Sequence, residues 1–161
     1  MKKLFIVALL MVVLVVASVA VAADGSGPYQ TQLTGRNEVP SVRTQAEGKA
    51  NFVLSEDGLT LHYTLGVLQL EDTLQGHIHL GPAGMNGPVV AFLYPEGPPP
   101  VLIPGFFSGV LAQGEITAED LLGPMAGMTI LDLVAQMEAG QTYVNVHTVE
   151  NPGGEIRGQI R

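Results

Sequence analysis

Three histidines in this sequence have a spacing that would let their imidazole rings act together. His77 and His79 are two residues apart in the strand-like segment Gly76 to Leu80, so their side chains leave the same face of a strand. His147 lies in a second strand-like segment near the C-terminus. If these two strands lie side by side, the three rings converge. Three imidazoles on rigid strands are a good site for copper or zinc.

Copper is the favoured metal, because the predicted site needs no acidic ligand. Met85 could add a soft thioether ligand. Tyr143 and Asn145 share a strand face with His147 and would surround the ligands. Each histidine would bind as a neutral imidazole. The same rings could instead hold an anion through hydrogen bonds.

A structural role for the histidines is the alternative. Histidines on strands often donate hydrogen bonds to backbone carbonyls and hold a loop in place. His79 is followed by a glycine-rich loop, residues 81–88, that needs such anchoring. The spacing of the histidines does not separate the two hypotheses. No catalytic residue is predicted, since the chain has neither a Gly-x-Ser-x-Gly motif nor a calcium-binding loop.

Four charged residues form a second candidate cluster. Glu155 and Arg157 are two apart on the last predicted strand, and Arg36 and Glu38 belong to an early loop. We predict that these four side chains form structural ion pairs between the N-terminal segment and the last strand.

The first 23 residues have the pattern of a secretory signal peptide. Lys2 and Lys3 precede a long apolar run, and small residues near Ala23 offer a cleavage site. Residues 24–28 are predicted to be a linker, and residues 29–161 a single domain. The pattern indicates a protein exported to the periplasm or the extracellular space, without a membrane anchor after cleavage.

Composition excludes several classes of function. The chain has 15 acidic and 7 basic residues, and two of the basic residues lie in the predicted signal peptide. Without a basic patch, nucleic acid is not an expected partner. The absence of cysteine excludes disulfides, thiolate catalysis and cysteine-dependent metal sites.

The elements that must position the histidines are mostly short strands. Alternating or apolar segments, bounded by glycine and proline, are found at residues 29–33, 46–54, 59–65, 67–70, 75–80, 89–94, 106–111 and 143–160. A short helical insert is predicted near residues 117–139, with its last helix over Ile130–Glu138. This pattern predicts an all-β fold, an antiparallel Greek-key-like β-sandwich.

Three blocks of the sequence resemble the CHRD (chordin) domain family. They are LTGRNEVP at residues 33–40, GHIHLGPAGMNGPVV at residues 76–90, and residues 139–160, with AGQTYVNVHT and NPGGEIRGQI. The blocks follow the family's order and cover nearly all of the chain after the signal peptide. The resemblance implies an extracellular β-sandwich module, here of the stand-alone microbial type, without a settled biochemical activity.

The leading prediction is a secreted, non-enzymatic binding or structural module that binds copper through the three histidines. Its partner would be an unidentified protein or envelope component, and its oligomeric state stays open. One alternative is a small copper-dependent redox enzyme, because a His-x-His strand is similar to the copper strand of copper/zinc superoxide dismutase. A second is an extracellular matrix or adhesion protein that assembles through sheet edges or an apolar loop surface.

Overall fold

A computed structural model describes residues 29–161 as seven strands, one α-helix and three short 3-10 turns. The strands are β1 (Tyr29–Thr34), β2 (Glu47–Leu54), β3 (Leu61–Leu80), β4 (Val89–Tyr94), β5 (Ile103–Ile116), β6 (Thr142–Thr148) and β7 (Ile156–Gln159). The helix α1 spans Ile130–Glu138, and the turns are Gly35–Asn37, Ala118–Asp120 and Gly123–Met125. The predicted signal peptide and linker lie outside the described residues. Between residues 29 and 161, no helix has the length and apolar character needed to span a membrane.

The strands form one antiparallel sheet that closes on itself. β1 pairs with β2, β2 with the first half of β3, the second half of β3 with β6, β6 with β7, and β7 with β1. These five strands form a barrel-like ring, and β4 and β5 are added to β3 outside it. The β1–β7 seam includes reciprocal backbone hydrogen bonds between Gln30 and Arg161, of 2.9 and 3.1 Å.

The prediction of an all-β antiparallel fold with a short helix is confirmed, in the form of this closed sheet. The pairings do not establish the Greek-key sandwich that was expected in addition. The helical insert is also confirmed. Thr129 and Asp132 cap α1 reciprocally, and Gly140, with a φ of 66°, follows its end.

The sequence pattern predicts three separate strands at residues 59–65, 67–70 and 75–80. In the structure they correspond to one 20-residue strand, β3. Its register with β5 shifts around Gln69 and Asp72, which have positive φ angles of 55° and 49°. Such irregularities bend a strand and interrupt its alternation. Before this bend β3 lies between β2 and β5, and after it between β6 and β4.

The core lies where alternation brings apolar side chains to the inner face. On β3, Leu61, Leu65 and Val67 are buried, whereas His62 is half-exposed, as its place on the polar face predicts. Buried residues of α1, including Leu133 and Met137, belong to the same apolar cluster. The described residues contain no cysteine, so this packing stabilises the fold without cross-links.

Candidate metal site

The three histidines converge on one face of the β3–β6 pair. His77 lies opposite Asn145 and His79 opposite Tyr143, while His147 is two residues after Asn145. Side chains at paired and diagonal positions of an antiparallel sheet are neighbours. The sequence predicts that the three rings converge if their two strands are neighbours. β3 and β6 are paired, and the rings do converge.

The rings are close and buried. Their centroids are 5.0 Å apart for His77 and His147, 5.6 Å for His77 and His79, and 6.2 Å for His79 and His147. One ring nitrogen from each histidine lies within 4.8 Å of the other two. Each of the three histidines is at most 8% exposed. Water therefore has little access to the cluster.

Hydrogen bonds to two loops determine which nitrogens carry a proton. His79 Nδ1 lies 2.9 Å from the carbonyl oxygen of Gly87, and His147 Nδ1 lies 3.0 Å from that of Pro152. A carbonyl oxygen can only accept, so both Nδ1 atoms donate a hydrogen. In a neutral ring the Nε2 atom then carries a lone pair and no hydrogen. The anchoring of the loops thus leaves two nitrogens available as ligands.

His77 brings a third nitrogen to these two. Its Nδ1 lies 3.1 Å from His147 Nε2, and its Nε2 is buried without a hydrogen-bond partner. In the neutral cluster, His77 Nδ1 donates to the lone pair of His147 Nε2. For both atoms to bind a metal, the hydrogen of His77 has to sit on its Nε2 instead. Two nitrogens bound tetrahedrally to one zinc ion lie about 3.3 Å apart, given bonds of about 2.0–2.1 Å. The 3.1 Å pair has nearly this spacing, whereas the wider spacings must contract when a metal binds.

Burial keeps the rings neutral. It lowers the pKa of His77 to about 3, with smaller contributions from His147 and His79. Burial also lowers the pKa of His147 to about 4, although the bond to Pro152 opposes this shift. The pKa of His79 is lowered for the same main reason. Neutral imidazole is the form that binds metals, so at neutral pH no positively charged ring has to lose a proton before a metal can bind.

Tyr143 positions His79 through two contacts. The rings stack with centroids 4.7 Å apart and planes 9° from parallel. The Tyr143 hydroxyl accepts a hydrogen bond of 3.1 Å from the backbone N–H of Gly87, whose carbonyl accepts from His79. Asn145 is buried opposite His77, with its Oδ1 unpartnered. Both residues predicted to surround the ligands are therefore beside them.

The predicted ion pairs among Arg36, Glu38, Glu155 and Arg157 are not formed. Within residues 29–161, the one ion pair joins His62 to Glu115, 3.4 Å apart. Pairing was expected because Glu155 and Arg157 share a strand face and could reach the opposite charges of Arg36 and Glu38, but buried charges can also be satisfied by neutral dipoles.

Arg157 instead attaches the loop after β3 to β7. Its guanidinium donates to Asn86 Oδ1 at 2.9 Å and to the carbonyls of Met85 and Pro82 at 2.6 and 3.3 Å. The guanidinium carbon also lies 3.4 Å from the ring centroid of Tyr143, a cation–π contact. Arg157 therefore supports the histidine site through Tyr143 and the loop.

Glu155 and Glu38 are both buried but have different surroundings. Glu155 accepts hydrogen bonds from the hydroxyls of Thr44 and Thr148, at 2.7 and 2.6 Å. Glu38 has a buried Oε1 without a partner. Burial raises the pKa of Glu38 to about 7, although the charge of Arg157 opposes the shift.

The side chain of Met85 is 60% exposed. The backbone carbonyl of Met85 accepts a hydrogen bond from Arg157, and this contact holds the residue in the loop. Its thioether as a metal ligand stays a prediction.

Sequence reasoning missed two backbone groups, the carbonyls of Gly87 and Pro152. For Gly87 a signal was present, because Asn-Gly-Pro marks a tight turn shortly after His-x-His. A Cβ at Gly87 would overlap the carbonyl oxygen of Leu80, so the loop can approach β3 only with glycine there. That close approach places the Gly87 carbonyl within reach of His79.

Comparisons with known proteins agree with the resemblance. The family model described as "CHRD domain" matches residues 29–160. Chordin of Xenopus laevis is 32% identical over 136 residues, which cover 80% of this chain and 12% of chordin. The chain thus spans only a small part of that relative's length. No solved structure matches.

Proposed function

Because the chain belongs to the CHRD domain family, a family of non-enzymatic binding and structural modules, we propose that it is an exported module that binds one copper ion through His77, His79 and His147. One observation carries the proposal. Two rings donate their Nδ1 hydrogens to loop carbonyls while their Nε2 lone pairs remain in a buried, neutral cluster. The proposal of export rests on the signal-peptide pattern of residues 1–23.

The donor set supports copper ahead of zinc. Three imidazoles suit both metals, and Cu²⁺ binds a given nitrogen site more tightly than Zn²⁺. The bound ion would link β3 and β6 to the loops that follow β3 and β6, since the ligands belong to these strands and hydrogen-bond to these loops. A stabilising or storage role is favoured over redox turnover, because burial leaves little access for a substrate.

Calorimetric titration of the purified protein with Cu²⁺ and with Zn²⁺ tests this proposal. We expect one ion per chain, tighter binding of Cu²⁺, and a spectrum of the copper form with three coordinated nitrogens. His77→Ala/His79→Ala should weaken binding by more than about 100-fold, because two of three ligands are lost. His62→Ala is the matched control and should bind as the wild type does, since His62 is half-exposed and paired with Glu115.

His79→Gln is a second variant that separates loss of copper binding from loss of the fold, because its amide can still donate to the Gly87 carbonyl. It should keep the circular dichroism spectrum of the wild type and still weaken copper binding. If the folded wild type binds no copper, or if both histidine variants bind copper as the wild type does, the histidines only anchor loops.

Assembly of several copies is a second candidate function, supported by β5. Within the described residues β5 pairs with β3 alone, and Phe106 and Val110 are 76% and 57% exposed. An apolar strand with an unpaired edge favours association. Sedimentation of the same samples separates the two functions, because assembly predicts oligomers that are indifferent to chelator and to the histidine substitutions.

A further inference from the structure

A cleft of about 690 Å³ lies beside the β1–β7 seam, and none of the three histidines lines it. Its walls are formed by β1, the C-terminal end of the chain from Arg157 onward, the segment from Arg36 to Val39, and residues 83–84 of the loop after β3. The volume is within the roughly 300–1,000 Å³ of small-molecule sites. The cleft is therefore large enough for a ligand of its own.

Positive charge is concentrated in this cleft. Residues 29–161 contain five basic side chains, those of Arg36, Arg43, Lys49, Arg157 and Arg161, and three of the five line it. Within that range neither Arg36 nor Arg161 forms an ion pair, and both are exposed. In a protein with a net charge of −8, such clustering favours an anionic ligand.

Glu38 is the one acidic residue in the lining. Because burial raises its pKa to about 7, a large fraction of this carboxyl group is neutral at or below pH 7. A neutral carboxyl group does not repel an anion and can donate a hydrogen bond to it.

The remaining walls combine polar and apolar groups. They carry the amides of Gln30, Gln32, Asn37 and Gln159 and the hydroxyl of Thr31, together with the apolar Val39 and Ala83, and no aromatic ring. Gln159 donates to the carbonyls of Gly81 and Gly140, at 2.9 and 2.8 Å, which leaves its Oε1 buried and without a partner. Such walls suit a ligand with several hydroxyl groups.

We propose that this cleft binds a sugar acid, a carboxylate on a hydroxyl-rich ring. Arg36 and Arg161 hold the carboxylate, because a guanidinium donates two parallel hydrogen bonds to its oxygens. The exposed amides of Gln30 and Gln32 on β1 bind the hydroxyl groups. This site is separate from the histidine cluster and does not depend on a metal.

Titration with galacturonate at pH 6, followed by NMR or calorimetry, tests the inference. We expect saturable binding of galacturonate, and at least tenfold weaker binding of galactose, which lacks the carboxylate. Hexanoate and inorganic sulfate should also bind at least tenfold more weakly, because they lack the hydroxyl-rich ring. Equal binding of sulfate would show a general anion site, and equal binding of galactose would show that the arginines are not used. Either result overturns the proposal.

Arg36→Gln/Arg161→Gln should weaken galacturonate binding at least tenfold while the protein keeps its unfolding midpoint, since both side chains are exposed. Arg43→Gln removes one positive charge outside the lining of this cleft and should change binding less than twofold. His77→Ala/His79→Ala, if folded, should bind galacturonate normally, so failure of the metal proposal would not affect this one. Absence of galacturonate binding in the folded wild type refutes the inference.

Discussion

The two nitrogens of His79, and those of His147, have different roles. Nδ1 donates to a loop carbonyl, and Nε2 faces the cluster with its lone pair. The structural hypothesis and the metal hypothesis for these residues are therefore compatible, because they concern different atoms. The same division is common in metal sites, where the second ring nitrogen of a ligand is held by a carbonyl or carboxylate.

Glu38 offers a pH-dependent prediction at the residue scale. Burial raises its pKa from 4.5 to about 7, so the folded state binds this proton more tightly than the unfolded chain. Its contribution to stability is therefore fully present below pH 4.5 and is lost as pH rises through 7. The loss amounts to about 3 kcal/mol at most, at 1.36 kcal/mol per pKa unit. Glu38→Gln should become more stable relative to the wild type between pH 5 and pH 8, as measured by urea unfolding.

Glu56→Gln is the control, because Glu56 is exposed in the turn between β2 and β3. Its stability should follow that of the wild type across the same pH range. If the difference between Glu38→Gln and the wild type does not change with pH, the carboxyl group of Glu38 is not desolvated in solution.

At the scale of elements, β3 organises the molecule. It pairs with four of the other six strands, and its bend near Gln69 and Asp72 separates the two sets of partners. His77 and His79 lie after the bend, where β4 and β6 flank the strand. The histidine cluster therefore depends on the half of β3 that follows the bend, rather than on the half that carries most of the apolar face.

Helix α1 provides a prediction at this scale. The hydroxyl of Thr129 accepts a hydrogen bond of 3.2 Å from the N–H of Asp132, and the Asp132 carboxylate accepts one of 2.9 Å from the N–H of Thr129. Thr129→Ala should reduce the free energy of unfolding by about 1 kcal/mol, the usual effect of losing an N-cap. Urea unfolding measures this change.

Thr117→Ala is the control. The Asp120 carboxylate accepts from the N–H and the hydroxyl of Thr117, as that of Asp132 does from Thr129, but the Thr117 hydroxyl caps no backbone N–H and precedes only a three-residue turn. Its loss should be below about 0.5 kcal/mol, as for most surface substitutions. Equal losses in the two variants would mean that the cap of α1 adds nothing beyond a local turn.

At the scale of the whole molecule, the β1–β7 seam closes the sheet, and Gly158 lies within it. A Cβ at Gly158 would overlap the hydroxyl of Thr31 and the carbonyl oxygen of Gln32, so one strand must move away from the other. We expect Gly158→Ala to lower the free energy of unfolding by about 2 kcal/mol or more, an effect of overpacking. Chemical denaturation gives the value.

Gly153→Ala is the corresponding control, since a Cβ at Gly153 meets no atom within 4 Å. It should change stability by less than about 0.5 kcal/mol. If Gly158→Ala were as stable as Gly153→Ala, the seam would not be closely packed, and the closed ring would be open in solution.

The sequence by itself determined the local features of this protein. The period of two places His77 and His79 on one face, and the sequence pattern predicts the helix over Ile130–Glu138, because these properties depend on neighbouring residues along the chain. Only the tertiary structure decided which strands pair: that β6 lies beside the second half of β3, so that His147 meets the other two rings. Strand pairing depends on contacts between residues far apart in sequence, and periodicity carries no information about them.

The charged residues show the same limit. Alternation correctly placed Arg157 on the last strand, but its partners are Asn86 and loop carbonyls more than 70 residues away. Whether a buried charge meets an opposite charge or neutral dipoles depends on which groups the closed sheet brings within hydrogen-bond distance. Sequence spacing therefore indicated the residues of both clusters, and the folded arrangement alone determined what each one contacts.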